Sequence, residues 1–262
     1  EIGNFPTDVY INAEVAEMMG CELRCVMPEE VEAAVEEAGD NLALVQLTHV
    51  HYKTGRVYDM AGITKRAHEL GGLVIWDLAH SAGALPVQLN ACKADFAVGC
   101  GYKYLNGGPG APAFIYVRPD LIGQARPCLS GWMGHDAPFG FEQGYRPASS
   151  IERMRVGTPP VLQMGALEAA LEVWQGVDMQ ALRQSSVELS ETFIREVESR
   201  CPSLTLASPR DANQRGSQVS FSSENGYAMM RALIDRGVIG DFRAPNIMRF
   251  GFTPLYIDEA DV

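Results

Sequence analysis

Short apolar runs alternate with stretches of helical spacing in the first half of the chain. The run LALVQLTHV, residues 42–50, has no polar face, which is typical of a strand inside a parallel sheet. Residues 60–70 have the spacing of a helix, and a Gly-Gly pair ends this segment before the next apolar run at 73–76. Strand, helix and strand within about 35 residues predict a βαβ unit whose first strand is interior and parallel.

Apolar runs at 96–100 and 110–117 extend this predicted sheet. Upstream, we predict a loop at 1–10, a short helix at 15–20 and a longer helix at 28–38, which begins at a proline and has glutamates in its first turn. Strands that alternate with helices indicate an α/β fold with a mostly parallel sheet flanked by helices. Ligands of such sheets bind beyond the carboxyl ends of the strands.

The second half of the chain is organised differently. Residues 118–158 are irregular and rich in Gly, Pro and aromatic residues, and connections this long are usually functional. A long helix with one break near Gly176 is predicted at 159–200. Short strands at 204–207, 217–222 and 247–252, with a helix at 227–236, predict a small α+β unit. We therefore expect a large α/β domain at 1–160, a connecting long helix at 161–200 and a smaller C-terminal α+β domain at 201–262.

Composition excludes several classes of protein. A net charge of −12 over 262 residues argues against binding to nucleic acid or to an anionic membrane, since both need a clustered basic surface. The cysteines are scattered without the spacing of a zinc or redox site, so we expect reduced thiols. We find no membrane span and no signal peptide, and we expect a cytoplasmic protein. The first residue is not Met and the chain stops at IDEADV, so truncation at both ends is expected.

Two charged residues stand at the ends of apolar strands. Asp77 follows LVIW, and Lys103 follows FAVGCGY. A lysine that extends to solvent and an acid that caps a strand are the ordinary explanations, but the two together at neighbouring strand ends make coincidence less plausible. Enzymes that use pyridoxal phosphate need a lysine that forms an imine with the cofactor aldehyde and a carboxylate that keeps the ring nitrogen protonated. The pair therefore predicts a pyridoxal phosphate site.

Two further residues near these elements have an ordinary and a functional interpretation. His80, three residues after Asp77, either orients that carboxylate or is a hydrogen-bonded core residue. Thr158 is the predicted N-cap of the long helix, with Pro159 at its first position, and such a helix start binds phosphate readily or is simply a capped helix.

The remaining candidates lie farther along the chain or form a weaker pattern. Arg249, the one charge in the apolar run NIMRFGF, either binds a substrate carboxylate or makes a structural ion pair. Trp132 is either a core residue or part of a ligand site. His49 and His51 share a strand face, but no third ligand has a recognisable spacing, so no metal site is predicted.

Longer motifs together resemble kynureninase, a family of fold-type-I pyridoxal phosphate enzymes related to the class V aminotransferases. The resemblance extends over essentially the whole chain, and WDLAHSAG with GYKYLNGGPG is its most specific part. The other motifs that carry it are FPTD, QLTHVHYKTG, SGWMGH, RVGTPP, RGSQVSF and GVIGDFRAPNIMRFGFTPLY. The family also has an upstream region with a loop that binds the cofactor phosphate, and we expect this chain to lack it.

The resemblance implies a role for each candidate by position. Lys103 would carry the cofactor as a Schiff base, Asp77 would pair with the ring nitrogen, and His80 would lie beside Asp77. Tyr102 would contact the phosphate and transfer a proton, and Arg249 would hold the α-carboxylate of the substrate. The other implied cofactor contacts are Phe5, Pro6, Thr7 and Asp8 of FPTD, with Phe5 stacked on the ring, Thr48 near the ring hydroxyl, and Trp132 and Thr158 reaching the site of a neighbouring subunit.

The reaction implied by the resemblance is hydrolysis of L-kynurenine, or its 3-hydroxy form, to anthranilate or 3-hydroxyanthranilate and L-alanine, in tryptophan catabolism. A homodimer with shared active sites is implied as well. Alternatives are another class V enzyme, such as an aminotransferase or a cysteine desulfurase with Cys128 as its reactive thiol, and an inactive fragment that keeps the fold.

Overall fold

The computed structural model describes residues 1–262 and contains two four-stranded sheets. The first sheet consists of β1 (Leu44–Thr48), β2 (Leu73–Asp77), β3 (Phe96–Cys100) and β4 (Ala113–Val117), in that order. β1, β2 and β3 run parallel, and β4 is antiparallel to β3. The predicted α/β class and the positions of these strands are confirmed.

The predicted interior position of β1 is wrong, because β1 pairs only with β2 and forms an edge of the sheet. Only one face of β1 is buried against the core, although apolar residues lie on both faces. Val45 and Leu47 are buried in the core, whereas Leu44 on the opposite face is exposed. An all-apolar run therefore did not distinguish an edge strand from a central one.

Two helices cover one face of the first sheet: α2 (Val31–Ala38) and α3 (Met60–Glu69). Asp59 caps α3, since its side chain accepts a hydrogen bond from the Gly62 amide at 3.0 Å. The centre of this core is Trp76, which is fully buried and donates its indole N–H to the Thr64 hydroxyl at 3.0 Å. The opposite face of the sheet carries exposed apolar side chains, namely Leu44, Leu73, Val98 and Ile115.

The predicted loop at 1–10 is wrong, because α1 (Pro6–Met19) already begins inside the FPTD motif. Pro6 occupies the first helical turn and Asp8 lies in the same turn, both of which favour a helix start. The helix ends at Gly20, whose φ of 67° is left-handed. In the second predicted helix, Pro28–Glu30 form a 3₁₀ turn that precedes α2.

The long helix is two helices, α4 (Val161–Glu172) and α5 (Met179–Arg200), and the predicted break at Gly176 lies between them. Thr158 is not an N-cap, because α4 begins only after Pro160. Residues that precede a proline avoid the α conformation, and Thr158 and Pro159 both precede one. The prediction of a capped helix start at Thr158 and Pro159 is therefore wrong.

The second sheet is antiparallel and belongs to the C-terminal part of the chain. Its strands are β5 (Thr205–Leu206), β6 (Gln218–Ser222), β7 (Asp241–Arg243) and β8 (Ile247–Gly251), in the order β5-β6-β8-β7, with α6 (Gly226–Ile234) packed on it. Ile194 of α5 is buried in the same core as Phe221 and Met248. The strand β7 had not been predicted.

No helix of the structure is both long enough and apolar enough to cross a membrane.

Candidate active site

The carboxyl ends of β1, β2 and β3 bring the predicted site residues together. Thr48 and Asp77 end adjacent strands and are direct partners in the register, and Lys103 follows the end of β3. One Asp77 oxygen accepts the Ala79 amide at 2.8 Å. Thr48 is buried and donates its hydroxyl to the Val50 carbonyl at 2.9 Å, so it closes the end of its own strand.

Asp77 and Lys103 influence each other without forming an ion pair. Burial raises the pKa of Asp77, while the Ala79 N–H and the charge of Lys103 oppose that rise. Burial likewise lowers the pKa of Lys103, against the effects of Cys100 and Asp77, and Arg249 lowers it further. The Lys103 ammonium has no carboxylate within ion-pair distance, and its Nζ lies 5.5 Å from the centre of the Tyr102 ring. A lysine in this setting is more readily deprotonated than a solvent-exposed one.

His80 is a neutral imidazole in this site. Burial lowers its pKa to about 3, and the nearby charges of Lys103 and Arg249 act in the same direction. It can therefore take part in hydrogen bonding at neutral pH but does not supply a positive charge.

The FPTD motif joins this group of residues from the start of α1. Burial raises the pKa of Asp8, and the negative charge of Asp77 raises it further, while Lys103 opposes the change. The Phe5 ring is half exposed and meets the Tyr52 ring edge to face at 5.7 Å. Pro6 and Thr7 are exposed in the first turn of the helix.

Arg249 reaches the same region from β8 of the second sheet. Its Nη1 donates to the Tyr52 carbonyl, and its guanidinium carbon lies 5.8 Å from the centre of the Tyr52 ring. Its Nη2 pairs with Asp241, so the structural ion pair that we had considered does exist. The charge of Arg249 nevertheless lowers the pKa of both His80 and Lys103, which places it beside the predicted site.

Tyr52 is a site residue that sequence reasoning missed. Its carbonyl accepts hydrogen bonds from Arg249 and, at 2.9 Å, from the Gln218 side chain, while the Lys53 carbonyl accepts from Ser220 at 2.6 Å. The second sheet is thus fixed to the turn that follows β1. The segment HYKTG was singled out only as part of the motif QLTHVHYKTG, and no local pattern indicates that its carbonyls bind a distant strand.

Three candidates are less closely connected to Lys103. Tyr102 lies beside Lys103 but is half exposed, and Trp132 and Thr158 make no described contact with it. Tyr102 is 51% exposed, and burial together with Cys100 raises its pKa. Trp132 packs against Phe139 at 5.6 Å and against Phe141 at 6.3 Å. Thr158 is exposed. The roles of Trp132 and Thr158 at a neighbouring subunit's site stay predictions.

The chemistry of this group fits pyridoxal phosphate. Lys103 is partly buried with a lowered pKa and no ion-pair partner, which suits reaction with an aldehyde. Asp77 is a carboxylate at the end of β2 that accepts the Ala79 N–H through one oxygen, and a carboxylate in this position can pair with a protonated ring nitrogen. Phe5 offers an aromatic face next to Asp8. Lys103, Asp77, Phe5 and Asp8 are therefore the residues that would hold the cofactor.

Comparison with known sequences gives a consistent result. The family model for the kynureninase C-terminal domain matches residues 182–262. A kynureninase of Pseudomonas fluorescens is 50% identical over 267 residues, covering 100% of this chain and 64% of the relative. A kynureninase of Deinococcus radiodurans is 48% identical over 262 residues, covering 99% of this chain and 63% of the relative. The chain thus spans less than two thirds of the length of these relatives.

Solved structures show the fold. A cystine C–S lyase in complex with its product cysteine persulfide has a TM-score of 0.83 and 22% identity, covering 99% of this chain and 71% of the other. An alanine–glyoxylate aminotransferase from Nostoc sp. has a TM-score of 0.71 and 20% identity, covering 96% of this chain and 68% of the other. The chain therefore has the fold of fold-type-I pyridoxal phosphate enzymes. Along its whole length the chain is therefore similar to kynureninases, and its residues 182–262 match the C-terminal domain model of that family.

Proposed function

We propose that the protein containing this chain hydrolyses L-kynurenine, or 3-hydroxy-L-kynurenine, to anthranilate, or 3-hydroxyanthranilate, and L-alanine. The observation that carries this proposal is the arrangement of Lys103, Asp77 and Arg249. It combines an amine with a lowered pKa, a carboxylate at a strand end and a guanidinium that reaches the site from the second sheet. An α-amino acid substrate needs a cationic group that binds its carboxylate, in addition to the cofactor that binds its amine. Arg249 provides this group.

Bound pyridoxal phosphate supplies an aldehyde that captures the substrate amine and a ring that accepts electrons from the substrate α-carbon. Lys103, with its lowered pKa, removes the α proton as a free amine. Asp77 holds a proton on the ring nitrogen. Arg249 binds the substrate carboxylate and so keeps the α-carbon near Lys103.

Water adds to the side-chain ketone, and the bond between the β and γ carbons breaks. The aroyl part leaves as anthranilate, the β carbon takes up a proton, and Lys103 returns a proton to the α-carbon, which completes L-alanine. We assign Tyr102 as the acid that donates the proton to the β carbon. Its hydroxyl is protonated at neutral pH and so carries a proton to donate, while burial raises its pKa and makes it a weaker acid than an exposed tyrosine.

We propose that two copies of the protein share their active sites. Phe139 and Phe141 are 74% and 73% exposed and surround Trp132, which leaves an aromatic surface without cover. Such surfaces mark protein contacts. A homodimer in which Trp132 and Thr158 approach the partner's site would cover it. The cytoplasmic location stays a prediction.

The experiment uses the full-length protein that contains this chain, loaded with pyridoxal phosphate. We expect anthranilate fluorescence on addition of L-kynurenine, and its loss in Lys103→Ala. Lys65→Ala is the matched control, because the Lys65 side chain is exposed and pairs with Glu69 on the surface of α3. Failure to release anthranilate would refute the proposed reaction.

A cysteine desulfurase is the second candidate. Cys128 lies exposed in the segment 118–158, a long connection of the kind in which a desulfurase would carry its reactive thiol. Sulfide release from L-cysteine, lost in Cys128→Ser, would support this activity in place of kynurenine hydrolysis. An inactive fragment that keeps the fold would show neither product.

A further inference from the structure

Asp241 lies between two arginines on the second sheet. Asp241 of β7 and Arg249 of β8 are direct register partners on adjacent antiparallel strands. One Asp241 oxygen pairs with Nη2 of Arg249, and the other accepts Nη1 of Arg243 at 2.8 Å. We call Arg243, Asp241 and Arg249 the charge triad. Its charges alternate in sign and leave one net positive charge.

The members of the charge triad differ in exposure. The Arg249 side chain is 11% exposed, whereas those of Asp241 and Arg243 are 42% and 40% exposed. If Arg249 were paired with one carboxylate alone, the pair would have no net charge and would attract a substrate carboxylate only weakly. Because Arg243 balances Asp241, the positive charge of Arg249 is still available to a ligand with one carboxylate.

Arg249 also has a buried donor that is not used. Nη1 donates to the Tyr52 carbonyl and Nη2 to Asp241, while Nε is buried without any hydrogen-bond partner. Buried N–H groups are nearly always satisfied, and leaving one unpaired costs free energy. Nε is therefore the guanidinium nitrogen that no group of the chain satisfies, whereas Nη2 on the same edge is already held by Asp241.

We propose that Asp241 is a positioning residue for recognition of the substrate carboxylate. Asp241 and the Tyr52 carbonyl hold Nη2 and Nη1 of Arg249, so that the orientation of its guanidinium is set before a ligand binds. Arg243 prevents Asp241 from acting as a competing anion. This inference rests on the proposed function, in which Arg249 binds the α-carboxylate of an amino acid.

The test uses the full-length holoenzyme and three substitutions at one position. Asp241→Asn keeps the size and an acceptor, Asp241→Ala removes both charge and acceptor, and Asp241→Glu restores the carboxylate. Asp136→Asn is the matched control, because Asp136 makes a comparable ion pair with Arg146 and its side chain is 46% exposed. Binding of L-alanine and of L-alaninamide, which lacks the carboxylate, is measured by calorimetry alongside KM and kcat for L-kynurenine.

We expect Asp241→Ala to weaken L-alanine binding and to raise KM by about tenfold, which corresponds to about 1.4 kcal/mol, with kcat changed much less. L-Alaninamide should bind equally well to all variants. Asp241→Glu should recover part of the loss, and Asp136→Asn should behave as wild type.

Equal weakening of L-alanine and L-alaninamide would show that Asp241 only supports the fold, and this would overturn the inference. Unchanged or tighter L-alanine binding in Asp241→Ala would also overturn it. A wild-type enzyme that releases no anthranilate, but whose preference for L-alanine over L-alaninamide depends on Asp241, would refute the proposed reaction and leave the positioning role standing.

Discussion

His49 makes the stability of this protein depend on pH in a way that can be measured. The residue is 7% exposed, its ring meets the Trp76 ring edge to face at 6.0 Å, and its Nδ1 is buried without a partner. Burial lowers its pKa from 6.5 to about 4. The unfolded chain therefore binds a proton at this residue at a higher pH than the folded chain does. The stabilising contribution is complete above pH 6.5 and is lost as the pH falls towards 4.

The size of the effect follows from these two pKa values. On going from pH 7 to pH 5, the contribution of His49 to the free energy of unfolding should fall by about 2 kcal/mol. Asp8 and Asp77 act in the opposite direction, because their raised pKa values let the folded state bind protons first as the pH falls. The wild-type protein alone would therefore show only the sum of these effects.

The informative quantity is the difference between wild type and His49→Gln, in which the carboxylate effects cancel. Urea unfolding of both proteins without cofactor, followed by tryptophan fluorescence at pH 7 and pH 5, gives the two free energies of unfolding. We expect the difference to move by about 2 kcal/mol in favour of the variant at pH 5. The part of this difference that does not change with pH reports the cost in packing of replacing His49 by Gln. Parallel pH dependence in the two proteins would refute a buried, neutral His49.

Two further predictions concern the core and the site. Trp76→Phe removes the hydrogen bond to Thr64 and part of a fully buried side chain, so the free energy of unfolding should fall by about 2–4 kcal/mol in urea titrations; a loss below about 1 kcal/mol would contradict this packing. Arg249→Met removes a positive charge that lowers the pKa of Lys103, so the pH midpoint for capture of pyridoxal phosphate by Lys103 should move upwards, whereas Arg249→Lys should leave it nearly unchanged. A downward shift in Arg249→Met would contradict the placement of Arg249 beside Lys103.

The strands of both sheets were largely predictable because each is a compact apolar run bounded by turn residues. Phe96–Cys100 matches its predicted bounds, and β2 differs only by including Asp77. The edge position of β1 was not predictable, since an apolar run carries no information about how many strands lie beside it. The short strand β7 was missed because three residues with two charges show no clear periodicity.

The chemistry of the site was predictable where residues end strands, and not where contacts are long-range. Asp77 and Lys103 were identified because an acid and a lysine at neighbouring strand ends are unusual. Tyr52 acts through its backbone carbonyl, and Asp241 acts through a partner on the next strand. Neither interaction leaves a pattern in the local sequence. The cap predicted at Thr158 is wrong because each of two consecutive prolines disfavours the α conformation in the residue before it.

We propose that Lys103 binds pyridoxal phosphate at the ends of these strands. The most direct test is borohydride reduction of the full-length protein with bound cofactor, followed by peptide mapping by mass spectrometry. The other lysines of the chain, Lys53, Lys65 and Lys93, serve as internal controls. We predict a single pyridoxyl group on Lys103, and none in this chain for Lys103→Ala. A stoichiometric pyridoxyl group on another lysine, with Lys103 unmodified, would contradict the account.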